Sequence, residues 1–86
     1  MSDIVSKQEI LEKLSQLLKD VLKIEIRSDD YLLDSSLGVQ ARDILYVTYL
    51  LFLEKKPNIC KCPSIRFNTT LSDYSEFIAR CFYGNG

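Results

Sequence analysis

The segment Leu37–Lys56, LGVQARDILYVTYLLFLEKK, constrains the fold more than any other part of the chain. Between Ile44 and Leu53 every residue except Thr48 is strongly apolar or aromatic, and neither Gly nor Pro interrupts the run. A helix lying on a protein surface needs only about three to four apolar residues in two turns, and this one carries more. The run predicts a central helix covered on several sides by the rest of the chain. It should start between Val39 and Arg42 and stop before Pro57.

The flanking segments supply the cover. Ser6 followed by Glu9 fits a capping box, in which hydroxyl and carboxylate each take an amide of the first turn. Ile10, Leu11, Leu14, Leu17, Leu18, Val21 and Leu22 then follow a helical stripe, predicting a first helix from Lys7 to Leu22. Glu9 and Lys13 have the favourable i, i+4 order along it. In the connection up to Gly38, Ile24 and Ile26 alternate with charged residues. A lone strand has nothing to pair with, so this reads as extended loop. Ser28-Asp29-Asp30 is a turn, and Tyr31, Leu32 and Leu33 form a plug tucked onto the core. Lys55 and Lys56 suit the negative end of the central helix. Pro63 breaks 58–67, where at most a turn of helix fits. Thr70 and Asp73 form a second capping motif, and Leu71, Tyr74, Phe77, Ile78, Cys81 and Phe82 line one face of a last helix. Gly84 and Gly86 end it.

With 86 residues this is one small domain, 1–86, whose thin core buries only roughly 60–65% of the unfolded surface. The expected fold is all-α, a small three- to four-helix bundle. The net charge is −1, with both signs interspersed. That composition provides no basic face for nucleic acid or an anionic membrane. No apolar run reaches the ~20 residues that span a bilayer, and the N-terminus lacks a signal-peptide pattern. Cys60, Cys62 and Cys81 cannot all pair within one chain, so reduced thiols and a cytoplasmic location are expected.

The order of elements, together with two local segments, resembles the acyl carrier proteins and the related peptidyl carrier domains. Leu37-Gly38 sits where carriers have the Leu-Gly preceding their Asp-Ser-Leu motif. Asn68-Thr69-Thr70-Leu71-Ser72-Asp73-Tyr74 is similar to the entry of their last helix. The resemblance implies a bundle of acyl carrier type that works through a protein partner, a biosynthetic or peptide-modifying enzyme. Leu37-Gly38-Val39-Gln40-Ala41-Arg42-Asp43 is also similar to the acyl carrier-related small proteins encoded beside bacterial peptide-maturation systems of the bacteriocin type. That likeness implies an accessory role in making a modified peptide.

Carriers hold 4'-phosphopantetheine on the Ser of Asp-Ser-Leu at the start of the central helix, where amides and dipole favour the phosphodiester. Counted from Leu37-Gly38, that motif falls on Gln40-Ala41-Arg42. Ala41 has no hydroxyl, so no phosphoester can form there, and no cofactor is expected. The alternative is a genuine carrier modified at Ser36 or Ser35 in Asp34-Ser35-Ser36-Leu37. Too few residues separate Leu22 from Ser36 for the carrier spacing, however. A helix running from Leu37 would also hold Gly38 in its interior, at about 1 kcal/mol relative to Ala. A polar loop or helix cap is the plainer reading of that segment.

The central helix lacks the acidic face by which carriers meet their enzymes, since Asp43 and Glu54 stand against Arg42, Lys55 and Lys56. It has instead a surplus of large residues: Tyr46, Tyr49 and Phe52 cannot all face inward together with the aliphatic ones. Arg42, Asp43, Tyr46 and Tyr49 are therefore the candidate partner-binding residues. A thin core that leaves aromatics half-covered explains them equally well, and self-association is a third reading. No enzyme is expected. Without His the chain lacks the usual general base and any Ser-His or Cys-His pair. Three cysteines alone do not close a tetrahedral zinc site, so no metal is expected. A Cys60–Cys62 disulfide would be strained.

Overall fold

The structure is a computed structural model that describes residues 6–33, 38–57, 65 and 68–84. Among these residues the chain forms three helices and no strand: α1 (Lys7–Leu17), α2 (Ala41–Glu54) and α3 (Leu71–Phe82). It is a small all-α bundle, as the apolar periodicities require.

Ser6 opens α1, its Oγ accepting from the Glu9 amide at 3.2 Å. Ile10, Leu14 and Leu18, each four residues on, are fully buried, and Leu11 and Leu17 flank them half-covered. Beyond Leu17 the helix widens into a π turn over Leu18–Leu22. Lys23 ends it in the left-handed region, φ 60°, with its amide on the Leu18 carbonyl. A π turn holds more residues per revolution, so the apolar stripe slips in phase. Val21, expected inward, is exposed for that reason, while Leu22 stays half-covered.

The connection after α1 is extended, as expected. Ile26 is buried and Ile24 half-buried, while Glu25 and Arg27 face solvent. Asp30 closes the turn: its amide donates to the Arg27 carbonyl, and its carboxylate accepts from the Arg27 amide, both at 3.0 Å. The segment then docks on the start of α3. The Ser72 amide donates to the Ser28 carbonyl at 2.8 Å, and the Leu71 amide to the Asp30 carbonyl at 3.1 Å. The first amides of a helix have no partner within it, and here the loop supplies the acceptors. Thr70 completes the cap, its Oγ1 accepting from the Asp73 amide at 3.1 Å.

Of the three plug residues only Leu32 is fully buried. Leu33 is half-covered and Tyr31 is 52% exposed, because the chain turns at Leu32 and Leu33. Tyr31 instead forms an isolated antiparallel bridge with Thr70. Leu32 lines one small apolar space with Leu14, Leu18, Ile44, Val47, Leu71 and Tyr74, and that space has no room for water.

On α3 the buried face comprises Leu71, Tyr74, Ser75, Ile78, Ala79 and Phe82, with Phe77 and Cys81 half-covered. Gly84 follows where a Cβ would meet the Arg80 carbonyl oxygen at 2.4 Å, so only glycine fits the close of the helix. The segment 58–64, with Cys60 and Cys62, lies outside the described residues.

Leu32→Ala should destabilise the domain by about 2–5 kcal/mol, since the surrounding helices cannot collapse fully onto the cavity. Tyr31→Ala should stay within roughly 0.5 kcal/mol of the parent. Urea denaturation of the two variants checks both.

Candidate interaction surface on the central helix

α2 begins where its first turn is capped. The Gln40 amide donates to the Asp43 carboxylate at 3.1 Å, and the Asp43 and Ile44 amides return to the Gln40 carbonyl at 3.0 and 3.3 Å. Gly38 stands two residues before this cap, in a turn, with φ +66°. That left-handed value suits glycine and lies outside the helix. Ala41 is thus the first helical residue, exposed, with a methyl group where a hydroxyl would be needed for esterification. Ser35 and Ser36 lie outside the described residues.

The inward face of α2 is Ile44, Val47, Thr48 and Leu51. Thr48, the one polar residue of the apolar run, donates its hydroxyl to the Ile44 carbonyl at 2.8 Å. Its single hydrogen is then committed, so the 2.7 Å contact with Tyr74 has the phenol donating to Thr48 Oγ1. This buried pair links α2 to α3. An aromatic cluster continues the link, with Phe52 at 5.1 Å from Phe82 and 6.1 Å from Tyr83 between ring centroids.

The far end of α2 is held from two sides. Glu54 pairs with Lys13 at 2.6 Å, and Lys55 pairs with Glu9. Glu9 and Lys13 therefore spend their charges across the bundle, not on each other, because the end of α2 lies beside the first turns of α1. Lys55 is the C-cap of α2, with extended backbone, and not part of its last turn. The Tyr83 hydroxyl donates to the Lys55 carbonyl, one of the unpaired acceptors at that helix end.

Held this way, α2 turns Arg42, Tyr46, Tyr49 and Leu53 outward. Tyr46 is 53% exposed, Tyr49 57% and Leu53 62%. The spacing of four, three and four residues sets them in one row along the helix. Leu45 and Leu50 flank the row half-covered. Arg42 is exposed and makes no ion pair among the described residues. Of the four sequence candidates, Arg42, Tyr46 and Tyr49 share this face. Asp43 is half-buried and occupied with the cap, so it positions the first turn. Leu53 was not among the candidates, although the heptad-like spacing from Tyr46 points to it.

A groove of about 660 Å³ lies between α1 and the 25–30 segment. Its walls carry Glu12, Lys19, Glu25, Arg27 and Asp30, with Lys19 3.7 Å from Glu25. Small-molecule sites are mostly apolar with a few convergent polar groups, and this wall of mixed charge is neither. No group of three potential metal ligands occurs among the described residues, and Cys81 is a half-buried thiol on α3. No described helix is long and apolar enough to cross a membrane. No family model, no curated protein and no solved structure matches the chain. The carrier resemblance therefore rests on the residues that carry it.

Burial raises the Tyr83 pKa from 10.0 to about 12. The native state holds the phenolic proton more tightly than the unfolded chain, so the stabilisation is complete below pH 10 and is lost as pH rises towards about 12. Tyr83→Phe should cost about 1 kcal/mol at neutral pH by removing the cap on the Lys55 carbonyl. It should also lack this part of the alkaline loss, so the difference in denaturation midpoint between parent and variant should shrink above pH 10.

Proposed function

We propose that this chain is an acyl carrier-related interaction protein that has kept the bundle and dispensed with the prosthetic group. It serves a biosynthetic or peptide-maturation system of the cytoplasm without catalysing a step itself. The observation that carries the reading is the start of α2 at Ala41, three residues after the Gly38 turn. At that place a carrier would bear the serine, and a methyl group bears nothing. A helix N-terminus offers amides and a dipole to a phosphodiester, but without an attachment point it holds no thioester arm. What α2 does offer is the outward row of Tyr46 and Tyr49 beside Arg42. These residue types dominate protein interfaces because they bury much area at little entropic cost.

The alternative is a carrier modified at Ser36 or Ser35, which would shuttle an acyl or aminoacyl thioester. Intact mass separates the two after incubation with coenzyme A and a broad-specificity phosphopantetheinyl transferase. An unchanged mass is expected. A gain of one 4'-phosphopantetheine that disappears in Ser36→Ala or Ser35→Ala would replace the proposal with the alternative.

A further inference from the structure

We infer that the outward face of α2 docks against the same face of a second copy of this chain, helix antiparallel to helix. The inference rests on the reading of that face as an interaction surface and names its occupant.

The order of the residues carries it. Arg42, Leu45, Tyr46, Tyr49, Leu50 and Leu53 are arranged symmetrically about the point midway between Val47 and Thr48. Tyr46 mirrors Tyr49, Leu45 mirrors Leu50, and Arg42 mirrors Leu53. A two-fold interface makes every contact reciprocal, residue i meeting residue j while j meets i, so this order sets like against like at its centre. Laid antiparallel about that point, each tyrosine meets the other tyrosine of the second copy and each flanking leucine meets a leucine. The aliphatic stem of Arg42 covers Leu53, the most exposed large apolar side chain among the described residues.

Charge selects the direction. Arg42 stands in the first turn of α2, at the positive end of its own dipole, and no carboxylate among the described residues pairs with it. An antiparallel neighbour brings the negative end of its helix, and the half-exposed carboxylate of Glu54, to this guanidinium. Lys13 already neutralises part of that carboxylate, so the attraction orients the pair more than it tightens it. A parallel pairing would instead crowd two Arg42 side chains at two positive helix ends.

Area sets the strength. Tyr46, Tyr49 and Leu53 are each more than half exposed. At ~150–250 Å² for a large side chain they offer roughly 300–400 Å² per copy. A stable complex buries about 800 Å² on each partner, so this dimer is weak and transient.

Sedimentation equilibrium of the full chain, from about 10 µM to about 1 mM, tests it. The weight-average mass should rise from 9.9 kDa towards double that value. Tyr46→Lys and Tyr49→Glu should each stay monomeric across the series, with unchanged melting curves because both positions face solvent. Mixing Tyr46→Lys with Tyr49→Glu should restore a dimer, since lysine then faces glutamate. Mixing Tyr46→Lys with Tyr46→Glu should not. A parent chain that stays monomeric to the highest concentration overturns the inference, while the mass experiment decides the prosthetic question separately. A dimer that survives both single substitutions, or rescue by the second mixture alone, overturns it as well.

Discussion

The amides that open α3 depend on carbonyls from the far half of the chain, and the arrangement of the bundle follows from that dependence. Leu71 and Ser72 donate to Asp30 and Ser28. A buried or half-buried amide without an acceptor costs about 1–3 kcal/mol, so two of them weigh heavily in a domain this small. The 28–32 segment is consequently pinned against α3. With its backbone fixed there, and the Leu32 amide donating to Thr69 at 3.0 Å, the Leu32 side chain has one direction to go: between α1, α2 and α3.

The consequence for α2 is that it leans on a core already filled. Its side nearest the bundle accepts Ile44, Val47, Thr48 and Leu51, and the buried Thr48–Tyr74 pair adds a directional bond to α3. Its ends are held by the Asp43 cap and by Lys13, Glu9 and Tyr83. Nothing described covers the remaining side. A helix with more apolar residues than one face can hold must then show some of them to solvent, and those residues fall in one row. The proposed interaction role is the use this geometry allows.

Much of the bundle was legible in the residues themselves. Ser6 sits four residues before the first apolar stripe and Thr70 one residue before the last, and both cap as their hydroxyls suggest. The central run was long and unbroken enough to require a helix, and it starts within the expected window at Ala41. Other features were hidden because they depend on distant neighbours. The π turn at Leu18–Leu22 moved Val21 outward, and no local pattern announces such a turn. Glu9 and Lys13 have ideal spacing for each other, yet Lys55 and Glu54 lie closer to hand. On the candidate surface, the surplus of aromatics foretold exposed tyrosines, but not that Leu53 completes the row.

The chain's own pattern determined that the three described helices form, where each begins, and that the middle one carries too much apolar surface for a single face. Local capping and periodicity suffice for that, since they act within a few residues. Which of those apolar residues became core and which became surface was decided only on assembly. That choice depends on where α1, α3 and Leu32 press against α2, and contacts between segments distant in the chain cannot be read from either segment alone.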